Sequence, residues 1–165
     1  MTLSPRAWLA GMVVVPLAAV ASALYTQHGL DMMPCAWCVL QRLIFLAVAG
    51  AALLGLLLPG LRAQRSAAVL ALVLALSGVA AALWQHFVAS ASTSCAQSLA
   101  DRAMGFTGLD SAFPEVFAAY ASCAEAKATL LGLPYEFFSL SLFVLLALAA
   151  WRVALAAWRV ALRPA

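Results

Sequence analysis

Charge is the scarcest thing in this sequence. Nine Lys and Arg and six Asp and Glu make up 9% of its 165 residues, against about 25% in an ordinary soluble domain. So few cannot coat a water-soluble globule of this length, and a disordered chain or a coiled coil would need many more. No Gly-rich phosphate loop or dinucleotide fingerprint is present, which leaves NAD and flavin without a seat. The basic residues are scattered, with no patch of the kind that binds nucleic acid.

What is there is apolar: 67% of the residues are hydrophobic. Asp, Glu, Lys and Arg are missing from Ala7 to Leu30, from Leu43 to Leu61 and from Ser66 to Ala100. A further apolar run goes from Tyr135 to about Leu155, with Arg152 near its end. A hydrocarbon core of about 30 Å needs about 20 apolar residues of helix, and backbone groups in lipid must bond within their own segment. The expectation is an all-α membrane protein, one domain over 1–165, built as a four-transmembrane-helix bundle. Its spans fall near 8–27, 39–58, 67–87 and 135–155, and its outer loops near 28–38 and 88–134. Pro16 is expected to kink the first span, and Pro134 to open the fourth, where its missing N–H is not needed. Ala21-Ser22-Ala23 after an apolar stretch resembles a signal-peptide cleavage site, but the run is long enough to span.

Charge then sorts by side. Arg6, Arg62, Arg65, Arg152, Arg159 and Arg163 lie with the termini and the Pro59–Arg65 turn, while all six acids, Arg102 and Lys127 lie opposite. The positive-inside rule makes the Arg-rich side cytoplasmic, so the outer loops face away from the cytoplasm. Trp151-Arg152-Val153-Ala154-Leu155 recurs seven residues later from Trp158 to Leu162, a pattern fit for anchoring at the lipid headgroups. Phe113, Phe117 and Tyr120 follow i, i+4, i+7, which predicts a short amphipathic helix on the long loop, lying on the membrane or packed on the bundle.

All four cysteines, Cys35, Cys38, Cys95 and Cys123, fall in the outward segments. An even number on an oxidising side implies disulfides, and four cysteines allow three pairings. Cys35 and Cys38 form a C-x-x-C, a spacing typical of redox-active pairs. Cys38 lies near the start of the second span, where helix N–H groups favour a thiolate, and Arg42 follows at i+4 with Gln41 beside it. An Arg at this depth is costly unless it has a function, the bland account being a cation that snorkels to the headgroups. His86 ends the third span within Trp84-Gln85-His86-Phe87, placed to donate to a ligand carbonyl; its bland account is an interfacial histidine. His28 has no such company.

Pro34-Cys35-Ala36-Trp37-Cys38-Val39-Leu40-Gln41-Arg42 resembles the Pro-Cys-x-x-Cys…Glu/Gln-Arg stretch of the DsbB family, the bacterial inner-membrane disulfide bond formation proteins. Gln85-His86 resembles that family's histidine site, and Ser122-Cys123-Ala124-Glu125 followed by Leu131-Gly132-Leu133-Pro134 resembles the entry to its last helix. The resemblance covers most of the chain and implies an oxidase. A DsbA-type thioredoxin-like partner would deliver electrons to a loop disulfide between Cys95 and Cys123. Cys95 would form the mixed disulfide with that partner, and Cys123 would exchange with Cys35. Cys38 would face a membrane quinone, ubiquinone rather than menaquinone, held by Arg42, His86 and Gln41. Some members have Glu where Gln41 stands, and Gln cannot act as a carboxylate. Reoxidising a DsbA-type oxidant, near −120 mV, requires a still stronger acceptor, and the DsbA–DsbB–quinone system is the handling of that problem already known in bacteria.

Two other classes compete. Met32, Met33, Cys35 and Cys38 make a soft cluster suited to Cu(I), though Arg42 would repel a cation. A disulfide-stapled structural subunit would use the same cysteines as inert staples.

Overall fold

A computed structural model describes residues 4–91, 98–126, 129–130 and 132–161. Four of its helices are long and apolar enough to cross a membrane: α1 (Pro5–Gly29), α2 (Ala36–Leu57), α3 (Leu61–Phe87) and, last in the chain, α7 (Tyr135–Ala161). Between α3 and α7 come a short 3₁₀ turn (Ala89–Ala91), α4 (Leu99–Thr107), α5 (Leu109–Ala112), α6 (Pro114–Phe117) and a two-residue antiparallel ladder, β1 (Thr129–Leu130) with β2 (Leu133–Pro134). The architecture is an all-α four-helix membrane bundle, and the chain is a multi-pass membrane protein.

Local chemistry explains the ends of these helices. Ser4 caps α1, its hydroxyl accepting from the Ala7 N–H at 3.3 Å, and Pro5 fills the first turn. Pro16 is accommodated inside α1, buried against the neighbouring helices. Pro59 and Gly60 turn the chain into α3, with Gly60 at a φ of 101° that an L side chain rarely adopts. Asp31, at φ 53°, bends the linker that leads to Pro34 and Cys35.

α1 packs on α2, α2 on α3, α3 on α7, and α7 closes back on α1. Small residues at the interfaces let the helices approach: Ala49, Ala51 and Ala52 on α2, and Ala68, Ala71 and Ala75 on α3, are all buried. Phe45 and Phe143 stack at the centre, ring centroids 3.9 Å apart and 7° from parallel. Gly78 lies flat against the Phe143 ring, and a Cβ there would collide with it. Val14, Leu57, Val73 and Leu145 are exposed, as lipid-facing side chains should be. At the Arg-rich end, the Arg65 guanidinium sits 3.8 Å over the Trp158 ring, so one Trp of the repeated C-terminal motif holds an intramolecular cation as well.

The loop departs from its expected form. Phe113, Phe117 and Tyr120 do not share a helix: α6 is a single turn, and the chain is extended again at Ala118 (φ −79°, ψ 138°). Pro114 is the cause, since the residue before a proline is pushed out of the helical region, and Phe113 sits at φ −136°, ψ 66°. Phe117 is buried with Val39 and Met104, while Phe113 and Tyr120 are exposed. The main loop helix is instead α4, opened by a capping box between Ser98 and Asp101 and closed by Gly108 in the left-handed conformation.

Candidate functional site

Cys35 is the N-cap of α2 and is fully buried, so Cys38 falls in the first turn of that helix. Their sulfurs are 3.1 Å apart. The N–H groups of Tyr120 and Ala121 both donate to the Pro34 carbonyl, at 3.0 and 3.3 Å, and this pins the returning loop beside Cys35. Ser122 and Glu125 then form a reciprocal cap. The Ser122 N–H and hydroxyl donate to the Glu125 carboxylate at 3.0 and 2.7 Å, and the Glu125 N–H donates to the Ser122 hydroxyl at 3.3 Å. Cys123 rides in that turn and packs against the buried cluster that holds Cys35. Three sulfurs thus cluster at the mouth of α2, those of Cys123, Cys35 and Cys38. The Cys35 thiol beside it holds Cys123 below the ordinary thiol range, while the neighbouring Cys123 and Cys38 sulfurs and burial push Cys35 up.

Behind Cys38 lies a cavity of about 430 Å³ between α1, α2, α3 and α7. Its walls are apolar, with Val14, Val15, Ala18, Phe45, Phe138 and Leu142 among them, and Val14 and Val15 are exposed on the outer surface of the bundle. Its polar end gathers Cys38, Gln41, Arg42, Gln85, Tyr135 and Glu136.

Arg42 is only 5% exposed, so it does not snorkel. Its Nη1 donates to Gln27 Oε1 at 2.6 Å and to the Val116 carbonyl at 2.9 Å, and its Nη2 donates to the Ala23 carbonyl at 3.3 Å. The last carbonyls of α6 have no partner within the helix, and a cation at that end is favourable. Among the described residues Arg42 pairs with no carboxylate. A buried positive charge held only by neutral acceptors favours an anion nearby, and the cavity supplies the place for one.

The two glutamines form a relay. Gln41 Nε2 donates to Gln85 Oε1 at 2.6 Å, and Gln85 Nε2 donates to the Cys38 sulfur at 3.2 Å. His86 is not brought to this end. Its Nδ1 lies 2.8 Å from Glu136 Oε1, and its ring contacts those of Phe87 and Phe137, at centroid distances of 4.8 and 4.7 Å. One residue along a helix is a turn of about 100°, so Gln85 faces Cys38 and His86 faces away.

Gln27, Gln85 and Glu136 are therefore parts of the site that sequence reasoning missed. Gln85 adjoined a residue that was singled out, whereas nothing in the sequence marks Gln27. His28 is not loop but the last turn of α1, against the Glu115 carbonyl at 3.3 Å. Cys95 lies outside the described residues. Among the described residues no three His, Cys, Asp or Glu side chains converge to hold a metal.

A four-helix membrane bundle with neighbouring thiols at the mouth of one helix, backed by an apolar cavity, defines a class of membrane-embedded thiol proteins. The family model for disulfide bond formation protein DsbB matches residues 5–153. A disulfide bond formation protein B from Aromatoleum aromaticum is 33% identical over 151 residues, 89% of this chain and 90% of that one. Disulfide bond formation protein B 1 from Pseudomonas syringae pv. syringae is 34% identical over 137 residues, 81% of this chain and 80% of the relative. One from Escherichia coli is 32% identical over 142 residues, covering 84% and 78%. The chain belongs to the DsbB family.

Proposed function

We propose that this chain is a membrane thiol oxidase of disulfide bond formation. It reoxidises a DsbA-type dithiol partner on the periplasmic side of a bacterial inner membrane and passes the electrons to a membrane quinone, with both termini cytoplasmic. The single observation that carries this reading is the cluster of Cys123, Cys35 and Cys38, with Cys38 at the polar end of an apolar cavity.

The chemistry follows from the cluster. A partner dithiol reduces a disulfide between Cys95 and Cys123, Cys95 forming the mixed disulfide. The Cys123 thiolate attacks Cys35 Sγ of a Cys35–Cys38 disulfide; the bond to Cys38 breaks, and Cys38 leaves as a thiolate. The partner's second thiol attacks the partner sulfur of the mixed disulfide, so the partner leaves oxidised and Cys95 is freed. Cys95 then attacks Cys123; the Cys123–Cys35 bond breaks, the loop disulfide is restored and Cys35 is released, so two electrons now reside on Cys35 and Cys38. The leaving sulfur is met by the Gln85 N–H and lies one helical turn from the Arg42 charge.

The cavity suits a quinone ring: it is apolar, lined by the exposed Val14, and polar at the Cys38 end. Arg42, Gln41 and Gln85 would hold it. Bound there, a quinone supplies an acceptor for two electrons and two protons. Burial of Arg42 among neutral acceptors supports its service to a polar ligand rather than to headgroups.

The test mixes the purified chain with a reduced DsbA-type protein and a short-chain ubiquinone under anaerobic conditions. Quinone absorbance and partner thiols are expected to fall together, one quinone for each partner disulfide formed. Thiol loss without quinone loss, or neither, overturns the reading. In the same system Cys95→Ser is expected to eliminate the covalent partner adduct, and an adduct trapped at Cys123 reverses the assignment.

A further inference from the structure

Oxidising a dithiol releases two electrons and two protons, and an acceptor that becomes a quinol must gain two protons with its two electrons. The polar end of the cavity offers few ways to deliver them. Gln41 and Gln85 are neutral amides committed to each other and to Cys38. Arg42 stays charged at any ordinary pH. The Tyr135 hydroxyl is shared with Thr26 at 3.3 Å. Among the described lining residues the one carboxylate is Glu136. Its side chain is 12% exposed, and its Oε1 lies 2.8 Å from His86 Nδ1, while the His86 side chain is 30% exposed. The pair therefore runs from the cavity wall toward the outer surface, α7 supplying the inner group and α3 the outer one. Phe87 and Phe137 contact the imidazole ring.

We infer that Glu136 and His86 are the proton entry of the cavity, with Glu136 giving the proton inward and His86 restoring it from water. The inference rests on the quinone reading. At rest the Glu136 carboxylate accepts from His86 Nδ1–H. As electrons leave Cys38, His86 Nδ1 passes its proton to one Glu136 oxygen while Nε2 takes one from water, and Glu136 passes a proton from its other oxygen into the cavity and returns to the carboxylate. Exchange with water moves the imidazole proton back from Nε2 to Nδ1 and resets the pair. Two such passages accompany the two electrons that leave as the Cys35–Cys38 disulfide re-forms, and the two thiol protons go to water, so charge and mass balance. The other titratable or charged groups facing this end are Cys38, Arg42 and Tyr135.

The test uses the full chain in lipid nanodiscs, reduced at Cys35 and Cys38 and mixed with a short-chain ubiquinone in a single turnover. Glu136→Gln and His86→Ala are each expected to slow quinol formation about a hundredfold, the lower end of what a positioned acid contributes. Free imidazole should restore His86→Ala and leave Glu136→Gln slow, because the outer group alone can be replaced from solution. A merely structural pair gives no such rescue. A readout free of quinone is nitrogen NMR of the two histidine rings. His86 should carry its proton on Nδ1 in the parent and lose that preference in Glu136→Ala. Glu136→Gln at the parent rate, imidazole restoring neither or both variants, or a parent His86 protonated on Nε2 each overturns the inference. A parent that reduces no quinone overturns the functional reading instead, and the NMR result still reports on the pair.

Discussion

The side-chain amide of Gln85, on α3, donates to the sulfur of Cys38, on α2, at 3.2 Å. The contact places a donor against the atom that, in the proposed exchange, gains negative charge when a Cys35–Cys38 disulfide opens. A hydrogen bond to a charged group is worth about 1.5–3 kcal/mol. Gln85→Ala should therefore cut the alkylation rate of Cys38 at neutral pH about tenfold or more, read by mass mapping of the reduced protein. His86→Ala should leave that rate unchanged, since His86 faces Glu136. Equal effects at the two positions would contradict the geometry.

Arg42 connects the ligand end of the cavity to the loop, through the Val116 carbonyl, and to α1, through Gln27. Arg42→Ala should weaken quinone affinity about tenfold or more, the value of one charge-assisted hydrogen bond. Both disulfides should still form. Equilibrium binding of a short-chain ubiquinone, with thiol counting beside it, checks both halves. Unchanged affinity would leave Arg42 a purely structural tie.

Cys123 titrates below the ordinary thiol range because the Cys35 thiol lies beside it. A lowered value means that the thiolate persists as pH falls and is lost only on passing through the lowered midpoint. Alkylation of the Cys123 peptide in reduced protein should thus have its inflection below about 8.5, the free-cysteine value. In Cys35→Ala, with that thiol gone, the inflection should move up. An inflection that ignores Cys35 would show that the two sulfurs are not in contact.

Gly78 admits the Phe143 ring into α3, and Phe143 in turn stacks on Phe45. Gly78→Val forces that stack apart. Overpacking of a filled core costs about 1–3 kcal/mol, so the variant should melt at lower temperature in detergent than the parent. Gly11, whose added Cβ would meet no neighbour within 4 Å, serves as the control as Gly11→Ala, with little change expected.

The four long helices were legible because charge-free runs of this length have no other stable form in lipid. Cys35, Cys38 and Arg42 were legible because a helix of 3.6 residues per turn places i and i+4 on one face. The helix register at Gln85 and His86 was not. A sequence shows that two polar residues end a span, but only packing against α2 and α7 decides which of them turns inward. Gln27 gave no signal because its role is defined by Arg42 and the Glu115 carbonyl, both distant in sequence. The Phe113–Tyr120 stripe misled because periodicity was counted across Pro114, where the backbone breaks. The capping patterns at Ser98-Leu99-Ala100-Asp101 and Ser122-Cys123-Ala124-Glu125 were readable local signals for α4 and for the turn that carries Cys123.

The account stands on the cavity behind Cys38 as the place where electrons leave the protein. Photolabelling with an azido-substituted short-chain quinone, followed by peptide mapping, tests this most directly. The label should fall on the cavity walls, at α1 around Val14 and Ala18 and at α7 around Phe138 and Leu142, and excess unmodified quinone should suppress it. Labelling confined to the lipid-facing side chains of α3, such as Val73 and Leu76, and insensitive to competitor, would contradict it.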